Sequence, residues 1–485
     1  MLSFLSDMSS LWAKGLGLFG GASSSITQAV EGAGVHMSLF RFVTGLAATV
    51  PLSAAQRLVP KGKARHVYGA LSSLAVLGFA YGRDVGQFVV AGSLVYAFMK
   101  FFPKKCGYLT WATIFSYQVY LHYLTASQDS WNQGNIDFTG SFMMITLKLI
   151  SVAMDYQDGV TGNKKQNEHS ITRLPSVLEF LGYLGCCQGL MVGPHFYFDE
   201  YMRYSHNVGE YDILNHPERM PTTWFPALKA FVGGMLCAGV FAYASVAVPR
   251  GAIMFYNDPS ASLFKKMGLA FVCNVGYRSR FYFAWLVAEA AYTVSGFGFS
   301  GFDKDGKPDF SKAINAPIYQ IETNPSAAQT VTKWNVHTGL WLRNYVYRRI
   351  GRADFSAILL TQVICGLWHG FSLGYLVFFV NTAIMIQASR IFYRIQSQYL
   401  PKSSIKYTNQ LHRILTVFNL NYVSGSYAAG DAAACMVWFK NMYYIGHIEM
   451  ITLILLGMTV FPKRKMGKPR AAPPAGEADQ AKKAK

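Results

Sequence analysis

Residues 361–387 hold no Asp, Glu, Lys or Arg, and His369 is their one titratable imidazole. It stands in Cys365-Gly-Leu-Trp-His-Gly370, where Gly366, Gly370 and Gly374 leave backbone room for a substrate to approach. Imidazole titrates near pH 6.5 when unperturbed, which makes it the common general base. An isolated buried histidine is more often structural than catalytic. One inside a membrane-length apolar run is rarer, and it is a functional candidate by default. Both readings stay open on the residues alone. Glu289 is the one charged residue in 281–302, a run that ends in Ser295-Gly-Phe-Gly-Phe-Ser-Gly-Phe302. For it a structural role, such as pairing with Arg278 or Arg280, is favoured over chemistry.

Other chemistries lack their residues. The histidines show no His-Glu-x-x-His or comparable spacing, and no Cys-x-x-Cys pair occurs, so no metal or redox centre is expected. A Gly-x-Ser-x-Gly elbow is missing, as are the Walker and Rossmann glycine patterns. The glycines of 296–301 have no strand–helix context, which makes phosphate cradling a weak reading.

The elements that must position His369 and Glu289 read as membrane helices. Of 485 residues 52% are hydrophobic and only 14% charged, against about 25% charged in soluble proteins. Mean hydropathy is +0.20. The net charge of +19 suits either a nucleic-acid partner or a polytopic membrane protein with basic cytoplasmic loops. No nucleic-acid-binding motif is present, and the basic residues flank apolar runs or crowd the tail, so no nucleic-acid partner is expected.

About 18 apolar residues cross a bilayer as a helix. Candidate runs are 37–59, 66–81, 86–102, 106–125, 140–155, 177–198, 226–248, 267–299, 354–388, 408–428 and 432–461. The 267–299 and 354–388 runs exceed one straight span, which predicts a bent helix, two short helices, or a span with an interfacial segment. The fold class expected is all-α, a polytopic integral membrane protein of about ten or eleven transmembrane helices, with two more or fewer allowed. No internal repeat is visible, which weakens an inverted-repeat transporter.

Basic loops at 61–65, 100–105 and 164–173 alternate with 126–139, which holds Asp129 and Asp137 and no lysine or arginine. Basic loops prefer the cytoplasm. The N-terminus is then expected on the lumenal side and the C-terminus in the cytosol. The division expected is a short amphipathic or disordered lead over 1–36, a catalytic transmembrane domain over 37–462 and a basic tail over 463–485. The lead has no basic start or cleavage site of a signal peptide. Lys482 and Lys483 near the C-terminus resemble a dilysine endoplasmic-reticulum retrieval signal; a merely solvated basic tail is the alternative.

The region 300–353 is amphiphilic. Its hydrated opening leads to a predicted aromatic-basic helix over 331–352, with Trp334, Trp341 and Tyr345 beside Arg343, Arg348, Arg349 and Arg352. Such a helix suits the membrane interface, as an anchor or as a ligand-contacting element.

Trp368-His-Gly370 in an apolar helix resembles a signature of the membrane-bound O-acyltransferase family. Trp334-Asn335, 34 residues before His369, followed by Trp341-Leu-Arg-Asn-Tyr-Val-Tyr347, is similar to its second signature. Thr146-Leu-Lys-Leu149, Asp155-Tyr-Gln-Asp-Gly159, Leu174-Pro-Ser-Val-Leu-Glu179, Gly193-Pro194, Gly296-Phe-Gly-Phe-Ser-Gly301, Glu322-Thr-Asn324 and Tyr375-Leu-Val-Phe-Phe379 resemble motifs of the lysophospholipid acyltransferase branch. Pro103-Lys-Lys-Cys-Gly107 and residues 126–159 are similar to plant and green-algal lysophosphatidylcholine acyltransferases. The likeness spans roughly 36–460. His337 and Thr338 fall where the family varies, and Phe371-Ser-Leu-Gly-Tyr375 lacks the proline often found before that Gly-Tyr, which leaves acyl-chain and headgroup preference open.

The resemblance implies helices around a central catalytic cavity and acyl transfer from acyl-coenzyme A to the free hydroxyl of a lysophospholipid, lysophosphatidylcholine first among them. It implies His369 as general base and Asn335 as the residue that orients substrate or meets the oxyanion. Trp334, Trp368, Glu289, Arg343 and Tyr375 are implied substrate-binding residues, with Arg348 and Arg349 further phosphate candidates. No bound cofactor is expected; the partners are acyl-coenzyme A, the lysophospholipid and membrane lipids. Another branch of the family (sterol, diacylglycerol or protein acceptors), a polytopic lipid transporter and a noncatalytic scaffold are the rivals. Oligomeric state is not legible.

Overall fold

The apolar runs fold as helices. One antiparallel pair, Gly301–Phe302 with Pro308–Asp309, supplies the strands found among the described residues. The computed structural model describes residues 24–126, 136–163, 167–247 and 261–464. The tail lysines Lys482 and Lys483, most of 126–139 and part of the 164–173 loop lie outside them.

The main helices are α1 (Met37–Gln56), α2 (Lys63–Tyr81), α3 (Val85–Phe101), α4 (Ser116–Ala126), α5 (Thr139–Thr161), α6 (Val177–Leu184), α7 (Phe198–His206), α8 (Trp224–Ala247), α9 (Leu263–Ser295), α10 (Ala327–Lys333), α11 (Val336–Tyr345), α12 (Phe355–His369), α13 (Leu373–Gln398), α14 (Ile405–Ala429), α15 (Ala432–Asn441) and α16 (Ile445–Thr459). By length and composition α1, α8 and α13 are each able to cross a membrane. α15 and α16, meeting at 81°, add a fourth if they form one broken span.

That is fewer than ten or eleven. The reason is visible in the other long helices, whose polar side chains face protein and lower their hydropathy. α5 buries Lys148, Asp155 and Asp158 along with its apolar residues. α9 runs unbroken for 33 residues, about 50 Å at helical rise, and carries Lys265, Lys266, Arg278, Arg280 and Glu289. The predicted 177–198 run is no span. α6 stops at Leu184, and a 3₁₀ turn at Cys187–Gly189 and a cis Gly193–Pro194 bond precede α7. The 331–352 helix is also broken. Trp334 and Asn335 interrupt it, and a 3₁₀ turn closes it at Tyr347–Ile350.

α5 is the post on which the rest is hung. Lys148 Nζ donates to the carbonyls of Tyr183 and Leu184 at 3.3 and 3.2 Å and lies over the Phe196 ring. A cation at the carbonyl end of α6 meets groups the helix itself leaves unpaired. Two turns on, Asp155 accepts from Tyr345 Oη (2.6 Å) and Asn167 (2.8 Å), and Asp158 accepts from Arg349 (2.5 Å). These bonds dock the end of α11 and its following turn onto α5. The Trp341 indole donates to the Leu147 carbonyl at 3.1 Å, and the Trp368 indole to the Met143 carbonyl at 3.2 Å. Each such bond contributes about 1 kcal/mol net; removing one partner strands a buried group at greater cost.

Gly159 sits where α5 meets the 167–172 loop, and a Cβ there would overlap the Ile171 carbonyl oxygen. Backbone on one side and a docked loop on the other leave nothing flexible to yield. Gly159→Ala is expected to lower the thermal midpoint and the yield of monodisperse protein. Detergent-solubilised material with an unchanged melting curve would contradict this packing.

Candidate active site

Helical period builds one cavity from six helices. On α12, Ile358, Thr361, Gln362, Cys365 and His369 form a stripe; on α13, Phe378, Phe379, Thr382, Met385, Ile386 and Arg390 do so. α9 contributes Phe271, Asn274, Tyr277, Arg278, Phe281 and Trp285. Residues three, four and seven apart share a helix face, and these faces meet those of α10–α11 and α14 around a space of about 850 Å³. That is toward the upper end of ligand-pocket sizes, about 300–1,000 Å³. The walls are mainly apolar, with a few polar groups among them.

His369 is the last residue of α12, and Gly370 breaks the helix at φ 155°, a conformation suited to glycine. The imidazole stacks on Phe379 (centroids 5.1 Å, 24°) and meets Trp368 edge-on at 4.7 Å. No hydrogen bond to its ring is found among the described residues, and it lines the cavity. Its lone pair is available to a substrate proton.

Asn335 caps α11 in the left-handed region, φ 50°, one of the few non-glycine residues at ease there. Its side-chain oxygen accepts from Asn315 Nδ2 at 3.0 Å. Asn315 also takes the next two backbone N–H groups, Val336 on its carbonyl (2.8 Å) and His337 on its side-chain oxygen (3.2 Å). With the oxygen committed, the Asn335 amide nitrogen is the group left to donate into the cavity. Asn315 has no motif to announce it in sequence; its role appears only when the 315 turn folds against α11.

Four predicted residues line the cavity together: Trp334, Asn335, Arg343 and His369. Three stand elsewhere. Trp368 is buried against α5, Tyr375 stacks on Tyr427 at 4.6 Å, and Glu289 is absent from the lining. Glu289 has no hydrogen bond or ion pair among the described residues, and Arg278, its expected partner, pairs instead with Glu322 at 2.9 Å. Arg349 is taken by Asp158, and Arg348 donates to Asn344 at 3.1 Å. His337, two residues from Asn335, does not line the cavity; it is buried, which pushes its imidazole down to about 4 against the opposing effect of the carbonyls of Ile314, His195 and Lys312.

At one side of the cavity Phe281, Trp285 and Trp334 gather with centroids 5.1–5.9 Å apart. Glu322 and Arg278 line the same space as a two-bonded pair, and Tyr282 Oη donates to Glu322 at 2.7 Å. Aromatic faces beside a carboxylate attract organic cations.

Sequence comparison gives the site its context. Residues 123–424 match the membrane-bound O-acyltransferase family. The chain is 32% identical over 454 residues to Lysophospholipid acyltransferase 1 of Arabidopsis thaliana, covering 90% of this chain and 97% of that one. It is 31% identical to Lysophospholipid acyltransferase 2 of the same plant, over 88% and 94% of the two chains. Human Lysophospholipid acyltransferase 5 is 24% identical, over 81% and 82%.

Proposed function

The chain belongs to the membrane-bound O-acyltransferase family, and from that premise we propose that it is a lysophospholipid acyltransferase, with acyl-coenzyme A as donor, His369 as general base and Asn335 as oxyanion donor. The observation that carries the reading is that one mainly apolar cavity is lined by both an imidazole and an amide nitrogen that have no hydrogen-bond partner among the described residues.

The chemistry follows from what each group can do. The His369 ring nitrogen takes the proton of the lysophospholipid hydroxyl as that oxygen attacks the thioester carbonyl. The Asn335 amide donates to the carbonyl oxygen as negative charge gathers on it. When the tetrahedral adduct collapses, the carbon–sulfur bond breaks and the imidazolium returns its proton to the leaving thiolate. An ester and a free thiol result, and no covalent acyl-enzyme is needed. The apolar walls of α12, α13 and α14 shelter the acyl chain and exclude water, which strengthens both hydrogen bonds.

The acceptor headgroup in this proposal is phosphocholine. Its quaternary ammonium would rest against Phe281, Trp285 and Trp334 beside Glu322, with Arg278 toward the phosphate; Trp334 adjoins Asn335 in the chain. Arg343, which also lines the cavity, suits a phosphate of the donor. The proposed setting is the endoplasmic-reticulum membrane, with the C-terminal tail in the cytosol and the catalytic unit over 37–462.

The test uses purified protein in lipid micelles with labelled oleoyl-coenzyme A and lysophospholipids bearing choline, ethanolamine, serine or glycerol headgroups. Thiol and labelled diacyl lipid should appear one for one. Glu322→Gln removes the carboxylate and frees Arg278 as a net cation, so the choline-to-glycerol ratio of kcat/KM should fall about tenfold or more. A ratio unmoved by the substitution would remove Glu322 from headgroup selection. No product from folded protein with any lysolipid would overturn the acceptor class and direct the search to sterol or protein hydroxyls.

A further inference from the structure

Because α12 ends at His369, the carbonyl of Trp368 lies in its last turn, where helical carbonyls have no N–H of their own to accept. A side chain from a distant part of the chain meets it. His122 on α4, buried, sets Nε2 3.1 Å from the Trp368 carbonyl oxygen across 246 positions. The same nitrogen lies 2.6 Å from the Gln118 amide, whose other end is 3.1 Å from Thr146 Oγ1 on α5.

The donors and acceptors of this chain follow from one constraint. A carbonyl oxygen only accepts, so His122 Nε2 carries the proton toward Trp368. The Thr146 hydroxyl is placed to donate to Gln118 Oε1; with Nε2 protonated the amide is turned end for end, its oxygen sharing the one Nε2–H with the Trp368 carbonyl and its nitrogen meeting the Thr146 hydroxyl. Gln118 and Thr146 are fully buried, and buried polar chains persist when each member is satisfied. None of the three lines the cavity.

We propose that His122 is a positioning residue for His369. Its bond to the Trp368 carbonyl holds the peptide plane that joins Trp368 to His369, and that plane sets the direction in which the imidazole leaves the backbone. On the other side of His369 the chain leaves the helix at Gly370, which has no side chain and adopts a conformation only glycine favours. The proposal rests on His369 being the base.

The experiment compares His122→Leu and His122→Gln with wild type in the micelle assay. Leucine has no donor, whereas glutamine keeps an N–H at similar reach. His122→Leu is expected to lose about 10²-fold in kcat, the cost of about 1 Å of misplacement at a reacting group. KM for both substrates should stay within about twofold, since binding surfaces are untouched. His122→Gln should recover most of the loss. A wild-type kcat in the leucine variant, a loss carried by KM, or a glutamine variant as poor as leucine would each overturn the proposal. If His122→Leu does not fold, Gln118→Leu, which removes the second partner of His122 Nε2 and so loosens the ring, should still lower kcat about tenfold; no change would overturn it equally. Wild-type turnover in His369→Ala would instead strike the base assignment itself.

Discussion

His369→Ala is expected to reduce acyl transfer by about 10²–10⁴-fold, the usual contribution of a positioned general base, while the protein still folds. The structure supports both halves of that expectation. The imidazole makes no hydrogen bond among the described residues, and its ring contacts are Phe379 and Trp368, so its removal strands no polar partner. It borders open space, so truncation enlarges a cavity that already exists rather than carving one from packed core. Gel-filtration profile and thermal midpoint should match wild type within a few degrees, and only the release of thiol should collapse. His369→Gln, which keeps a polar side chain of similar size but no basic nitrogen, should be equally inactive. Turnover at the wild-type rate in either variant, at matched folded protein, would end the base assignment.

Asn335 calls for a more careful substitution. Loss of one oxyanion donor lowers kcat by about 10²–10³-fold. Alanine at this position adds a second effect, since φ 50° costs a residue with a Cβ about 1–2 kcal/mol. Asn335→Gly removes the donor without that strain, and Asn335→Asp keeps the shape while replacing the amide by a carboxylate next to a developing negative charge. Glycine and aspartate should both lose about 10²-fold or more in kcat, with KM little changed. The aspartate variant should be the worse of the two. Asn335→Gly with undiminished kcat would remove this residue from the reaction.

Composition and apolar period carry the helical, membrane-embedded class, and they carry it for a physical reason: charge is too scarce to cover a soluble surface. The period also explains why Ile358, Cys365 and His369 share one face. What the linear sequence hides is where helices stop and what they touch. The break at Gly370 turns His369 from a residue within a helix into its last member, and that depends on a single backbone angle. The run 177–198 is apolar enough to span yet folds into one short helix, a 3₁₀ turn and an irregular stretch, with Lys148, Tyr183 and Tyr292 donating to its carbonyls inside the protein. Pairing is likewise invisible in one dimension. Arg278 and Glu289 are eleven residues apart on α9, on nearly the same face, yet Arg278 binds Glu322 from another element. Asn315 and His122 carry no motif at all; their importance lies in contacts made across 20 and 246 positions.

The two indoles that donate to α5 have a consequence for how such an enzyme diversifies. Trp341 and Trp368 anchor the segments bearing Asn335 and His369 to carbonyls four residues apart on one helix, Leu147 and Met143. That helix contributes no residue to the cavity lining. In the proposed reaction the side chains that would sense acyl length and unsaturation are cavity-lining residues of α13 and α14. Selection on fatty-acid preference can therefore act on one set of helices while the reacting groups keep their spacing on another, and a change of diet or growth temperature need not be answered by rebuilding the catalytic pair.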